Sequence, residues 1–493
     1  MLANWQVWPH IRNVGRRAPK ALAVAVSVAL IPVSSATHVL AQEAPRAEAR
    51  AAAAPTREEL GRLFDAVVET TAREFWDKDR LEAVGWQARA AVLRESVLEA
   101  ASLEEAARRI NALLGALETS HTGLLTPDDV DYYILLDVFT RGEQGDRGGR
   151  RRKLQDLAAT GGRQGVRYAG IGVFTTRIDE RDFVEAVLEG SPAERVGLGA
   201  GDEIVGVDGE KFHPIRSFRG RIGQQASIAV RRSKGGPVET IGVDVVRIAP
   251  LKAFNDATRA SARVIEREDR RVGYVHVWAS VDDGSAQALT EALEKLGVKR
   301  GVARATSEDG SDARQSEGDR PASSRPLDAL IVDMRGRIGG TAGNAGRYLE
   351  VLDPRGPRVR SRNKSQSGRA LTSLRGRTAV LIDHHTRSTG ELFVHAYKRE
   401  RQGPLIGTRT AGAVSAGSAF AMPGGNLLYM AVTGLEVDGE IVEGAGVAPD
   451  IEVPRVLPYA GGADPVLDAA VEHLVRDAGR RGTAKPDGNS TSQ

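Results

Sequence analysis

The sequence predicts an α/β (α+β) core, preceded by a helical region and interrupted by a small β domain. Three observations carry this expectation. Buried apolar runs, Ala329–Val332 and Ala379–Ile382, alternate with helical patterns between 328 and 453, as in a sheet with covering helices. Residues 56–117 place apolar side chains at helical spacing behind two capping signals. Residues 166–248 change to short alternating runs between turns rich in glycine.

The chain has 493 residues, a net charge of +3, 41% hydrophobic and 27% charged residues. That is the composition of an ordinary globular protein. The small net charge gives no reason to expect nucleic acid as a partner. The absence of cysteine excludes disulfides, thiolate metal sites and a cysteine nucleophile. Arg12, Arg16, Arg17 and Lys20 precede an apolar run, Ala21 to Val33, and small residues up to Ala41. This is the layout of a signal peptide over 1–41, its apolar core shorter than the ~20 residues of a membrane span. An exported protein, periplasmic or extracellular, is therefore expected, with no stable membrane span after cleavage. Residues 42–55, rich in alanine, glutamate and arginine, read as a flexible stalk.

Residues 56–140 read as the N-terminal helical region. Thr56 with Glu59, and Ser102 with Glu105, form capping boxes. Leu60, Leu63, Phe64, Val67 and Val68 follow the first, and Ile110, Leu113, Leu114 and Leu117 the second, at helical spacing. A polar turn, Glu118 to Gly123, closes the region. Residues 141–165, basic and rich in glycine, read as a solvated linker. In 166–250, Gly172–Phe174 and Val184–Val187 read as strands, and Ser191-Pro192 opens a short helix. The core spans 251–460, with a low-complexity, disordered insertion at 303–326. A helix near 464–476 and a polar tail complete 461–493.

Two segments carry the residue types that acyl transfer needs. The strand Thr378 to Asp383 feeds a polar connection and then a helix from Gly390, so Ser388 lies at a helix N-terminus. Free N–H groups there favour an oxyanion, although a serine at a helix start is, taken alone, usually an ordinary N-cap. Asp333 to Gly340 ends a strand in paired glycines, Gly339 and Gly340. They let the backbone approach a substrate carbonyl. No P-loop or dinucleotide-binding glycine pattern is present. Asp383-His384-His385 pairs two imidazoles. No further ligand cluster accompanies them in the sequence, so they are read as flanking the site, and no metal and no cofactor is expected.

Asp333–Gly340 resembles the Asp-Leu-Arg-x-x-x-Gly-Gly signature of the carboxyl-terminal processing and tricorn-core family of serine peptidases. Thr386–Glu391 is similar to that family's nucleophile segment, with Ser388 at the nucleophile position. Glu443–Asp450 resembles its closing Glu-Gly-x-Gly-Val-x-Pro-Asp segment. The family's core implies a fold of the ClpP/crotonase-like type. Processing peptidases place a general-base lysine where this sequence has Ala413, in Thr410-Ala411-Gly412-Ala413. The resemblance therefore points to the tricorn-like branch, which uses a histidine and a glutamate. It implies His121 as general base, Ser120 and Glu443 as groups that orient it, and Thr389 with Gly340 or Gly339 as oxyanion donors. A histidine base of ordinary pKa implies activity that falls as pH drops through roughly 6–7.

Residues 166–250 resemble a PDZ domain. Tyr168, Gly170, Ile171, Gly172 and Val173 match its carboxylate-binding loop, where backbone N–H groups hold a peptide terminus and the peptide adds as a strand. The resemblance as a whole implies an endopeptidase for unfolded or C-terminal polypeptide segments. The alternative is an inactive relative that binds peptides or lipophiles.

Overall fold

The computed structural model describes residues 54–141, 149–159, 165–298, 325–336, 339–340, 377–435 and 442–483. The expected signal peptide, nearly all of the stalk and the insertion up to residue 324 lie outside the described residues.

The N-terminal region contains helices α1 (Arg57–Glu74), α2 (Lys78–Ala83), α3 (Trp86–Leu98) and α4 (Leu103–Gly115). The Thr56–Glu59 capping box is complete in both directions. At α4, Ser102 accepts from the Glu105 N–H, but the Glu105 carboxylate reaches back to Ala101 N at 2.9 Å. Strand β1 (Gly123–Leu125) and helices α5 (Val130–Arg141) and α6 (Arg150–Ala159) follow. Helix α6 corrects the expectation of a solvated linker there. Leu154 is buried, and Arg150 donates to Ser418 Oγ at 2.8 Å with its guanidinium over the Phe420 ring. The basic residues hide this contact in the sequence, because arginine stems cover apolar surface while their heads stay polar.

The inserted β domain contains β2 (Tyr168–Gly170), β3 (Val173–Ile178), β4 (Arg181–Val187), the short helix α7 (Pro192–Arg195), β5 (Glu203–Val207), β6 (Gln225–Arg231), β7 (Val238–Asp244) and β8 (Val246–Ile248). Strands β3 to β7 form an antiparallel sheet in sequence order, with β3 at one end, and β2 pairs with β8. Ile171, Val184, Ile204, Phe218 and Ile228 build its core.

The remaining elements are α8 (Pro250–Ser261), β9 (Arg263–Arg267), β10 (Arg270–His276), α9 (Asp283–Lys295), β11 (Ala329–Asp333), β12 (Thr378–Ile382), α10 (Thr389–Arg399), β13 (Leu405–Gly407), β14 (Ala416–Met422), β15 (Asn426–Thr433), β16 (Ile451–Glu452) and α11 (Pro465–Thr483). Six strands form one sheet in the order β16-β13-β12-β11-β10-β9, parallel except for β9. Alternation decides the two faces. Val380 and Ile382 point to α9 and α10, whereas Ala379 and Leu381 point to α11. Burial on both faces explains the uninterrupted apolar strands. Each large aliphatic side chain so buried stabilises the fold by about 1.5–3 kcal/mol.

A second, three-stranded sheet joins β1 to the β15–β14 hairpin. The helical region is therefore no separate body. Leu60, Phe64, Ile110 and Leu114 pack on Phe420, Leu428 and Met430, some 300 residues away in sequence. Among the described residues, no helix is long and apolar enough to cross a membrane.

Candidate active site

The carboxyl ends of β11 and β12 lie side by side, where parallel sheets commonly hold ligands. Strand β11 leads into Met334–Gly336, and β12 into the connection 383–388. Arg335 fixes the first connection. It bonds Asp333 at 2.6 Å and Asp464 at 2.7 Å, and Tyr274 donates to Asp333 Oδ2 at 2.8 Å. Burial opposes the Asp333 charge, but Arg335 and His276 hold the carboxyl far below its usual range.

Ser388 is the N-cap of α10, with φ 53° and ψ −123°. A serine seldom adopts this backbone conformation, and such strain persists only where surrounding contacts enforce it. Here the Ser388 N–H donates to the Ala413 carbonyl at 2.8 Å, while its own carbonyl accepts from the Glu391 N–H. The Thr389 N–H is the first helical donor and has no acceptor within the helix. Gly339 lies directly against Ser388. A Cβ added at 339 would stand 2.4 Å from Ser388 Cβ and 2.8 Å from its Oγ. At Gly340 an added Cβ would meet the Ser280 carbonyl at 1.9 Å. Both glycines are thus required by close approach.

His121 comes from the turn between α4 and β1, where it has φ 56°. Pairing of Gly123 with Tyr429 docks this turn, and the Asn111 amide clamps Leu124 at 2.9 Å and 2.6 Å. The His121 ring packs edge-on to Tyr429, centroids 5.3 Å apart. Its Nδ1 lies 2.7 Å from Ser120 Oγ. Burial pushes the imidazole pKa down to about 4, against the opposing pull of Glu443. This corrects the expectation of an ordinary histidine base.

Glu443 Oε1 accepts from the Ser120 N–H at 2.9 Å, and Oε2 accepts from the Val414 and Ser415 N–H groups at 2.9 and 2.8 Å. Burial alone would raise its pKa, but the bonds from Ser120 and Ser415 outweigh it and hold the carboxyl below its usual range. His121, Ser120, Glu443, Ser388, Gly339 and Gly340 all line one cavity of about 980 Å³, whose described lining includes no lysine. Thr389 is buried beside it, its hydroxyl 2.5 Å from Ser280 Oγ.

Sequence reading missed Glu391. Its buried carboxylate accepts from Thr410 Oγ1 at 2.6 Å and from the Gly412 and Ala413 N–H groups at 2.7 and 2.6 Å. It thereby holds the turn that seats Ser388. A Cβ added at Gly412, where φ is 64°, would stand 2.9–3.1 Å from the 444–446 backbone, and the Gly444 N–H donates to the Gly412 carbonyl at 2.8 Å, which brings Glu443 to the same turn. The signal was the glutamate that ends the Thr386–Glu391 segment.

The peptide-binding positions divide. Ile171 and Val173 face the β-domain core, and Tyr168 packs on Tyr133 of α5 with centroids 5.3 Å apart. Gly172, at φ 90°, abuts Ser191. What this segment offers is backbone, continuing into end strand β3, whose Thr176 and Arg177 line the cavity.

The histidines beside Ser388 do have a third potential ligand, which the sequence had separated from them. Glu185 of β4 meets His385 Nε2 at 2.6 Å and His384 Nε2 at 4.0 Å.

Residues 271–453 match the family described as Peptidase family S41, and residues 183–232 match the PDZ domain. Two proteins of Streptomyces coelicolor named as tricorn protease homologs are similar. One is 26% identical over 88% of this chain and 33% of its own length, the other 28% over 57% and 24%. The chain thus spans a third or less of these two relatives. The carboxyl-terminal-processing protease of Picosynechococcus is 25% identical over 71% of this chain and 74% of its own. Among solved structures, the photosystem II D1 C-terminal processing protease matches 83% of this chain and 98% of its own at 19% identity and TM-score 0.45.

Proposed function

We propose, from the premise that residues 271–453 belong to peptidase family S41 and residues 183–232 are a PDZ domain, that this protein is an exported serine endopeptidase cleaving unfolded or C-terminal polypeptide segments. The observation that carries this reading is the convergence of Ser388, His121 and Glu443 on one cavity from three distant segments.

In the proposed reaction, Ser388 Oγ attacks the scissile carbonyl carbon and passes its proton to His121 Nε2. That nitrogen accepts only if Nδ1 carries the other proton. Nδ1–H then donates to Ser120 Oγ, whose hydroxyl donates to the Glu443 carboxylate. The glutamate acts through Ser120, stabilising the imidazolium as the third member of a triad does. The Thr389 and Gly340 N–H groups receive the developing oxyanion. His121 returns its proton to the leaving amine, and an acyl group remains on Ser388. Water, deprotonated by His121, releases it. Ala413 supplies no amine, which supports the histidine over a lysine base.

The PDZ domain is read as the substrate guide. A peptide added to β3 would run along Thr176 and Arg177 toward Ser388. The six-stranded sheet with helices on both faces is read as a ClpP/crotonase-like core, and residues 1–41 as the export signal.

A fluorophosphonate probe tests the nucleophile. Wild type should label once, and Ser388→Ala and His121→Ala should not. Labelling that survives Ser388→Ala overturns the assignment. A folded wild type that neither labels nor cleaves an unstructured protein indicates the inactive relative instead.

A further inference from the structure

Between the inserted domain and the nucleophile segment lies a polar cluster that the proposed reaction does not use. Glu185 comes from β4, and Asp383, His384 and His385 from the connection after β12. Both imidazole Nε2 atoms face the same Glu185 oxygen, at 2.6 and 4.0 Å. One ligand atom from each of the three residues lies within 4.8 Å of the others. Glu185 and His385 are 3% exposed, whereas His384 is 52% exposed and opens the cluster to solvent.

Two further facts favour a cation at this cluster. Glu185 Oε2 and Asp383 Oδ2 are buried carboxylate oxygens without a hydrogen-bond partner, a costly condition for acceptors in the interior. The guanidinium nearest to both carboxylates does not satisfy these oxygens. Arg455 Nη1 stands 3.9 Å from Glu185 and 3.6 Å from Asp383, beyond hydrogen-bond distance of either carboxylate.

We propose that His384, His385 and Glu185 bind a zinc ion that ties the PDZ domain to the segment carrying Ser388. Two imidazoles and a carboxylate are a ligand set that zinc accepts, with Zn–N and Zn–O distances of about 2.0–2.2 Å. Those distances need ligand atoms roughly 3.2–3.5 Å apart. Glu185 and His385 must part slightly, and exposed His384 must close in. Water from the open side takes the fourth position. Asp383 Oδ1 accepts from the His385 backbone N–H at 2.9 Å and so fixes the connection that carries the pair, while Arg387 Nη2 lies 3.4 Å from His385 Nδ1. The ion is no part of the hydrolytic reaction, so the site stands or falls apart from the peptidase reading.

The test is calorimetric titration of the untagged, chelator-treated full chain with zinc chloride, paired with thermal unfolding. Wild type should bind one equivalent at micromolar zinc and melt at a higher temperature with it. His384→Ala and Glu185→Gln should each weaken binding at least about tenfold and lose the thermal shift. His384→Ala is the safer variant, because the side chain is half exposed. His121→Ala should bind as wild type does. Absence of binding to wild type overturns the proposal. So does undiminished binding by both His384→Ala and Glu185→Gln, or binding that His121→Ala abolishes.

Discussion

The Ser120 N–H donates to Glu443 Oε1 across 2.9 Å, joining residues 323 positions apart. Because Ser120 Oγ is also 2.7 Å from His121 Nδ1, the glutamate orients the imidazole through a neighbour. Ser120→Ala should therefore lower kcat with little change in KM, and by less than the about 10²–10⁴-fold loss expected for His121→Ala. Steady-state kinetics on an unfolded protein substrate distinguish the two. A Ser120→Ala enzyme of wild-type kcat would remove the relay.

The buried imidazole sets the pH dependence. With its pKa pushed down to about 4, His121 stays neutral through mild acid and can accept the Ser388 proton there. The acid limb of kcat/KM should fall well below pH 6, and a limb near 6.5 would contradict the buried environment. Stability carries the same sign. The folded pKa lies below the unfolded value of about 6.5, so the unfolded chain takes up the proton first. Stability should fall as pH falls from that value toward 4, measured by urea unfolding across the range.

Gly339 leaves no space for a side chain beside Ser388. Gly339→Ala should cost about 10²–10³ in kcat, the scale of losing an oxyanion donor, by displacing Ser388 or the 339–340 backbone. Circular dichroism should remain native. Full activity in this variant would mean that the two segments separate in solution.

Glu391 faces three donors at 2.6–2.7 Å. A glutamine there presents an N–H₂ to at least one of them, so Glu391→Gln should destabilise the protein by about 1–3 kcal/mol. It should also slow acylation by releasing the 410–413 turn from Ser388. Denaturant unfolding and probe-labelling rate check both parts. Unchanged stability would show that the carboxylate is not needed there.

Much of this protein was legible locally. Helix starts at Thr56 and Ser102, the paired glycines after β11 and the serine between β12 and α10 are written in neighbouring residues, because capping, turns and strand periodicity act over a few positions. Family motifs supplied His121 and Glu443 without their surroundings. Helix α6 was obscured by its arginines, and α3 begins at Gly85 without a side-chain cap and buries only scattered positions.

Tertiary structure decided the rest. The β1–β15 pairing seats His121, the 410–413 turn gathers Glu391, Glu443 and Ser388, and Glu185 meets His385 across 200 residues. Burial by distant segments also moved the His121 pKa. Sequence fixes what each short segment prefers. Which segments meet depends on sheet order and on packing between distant faces, and only the folded chain sets the dielectric surroundings of a side chain.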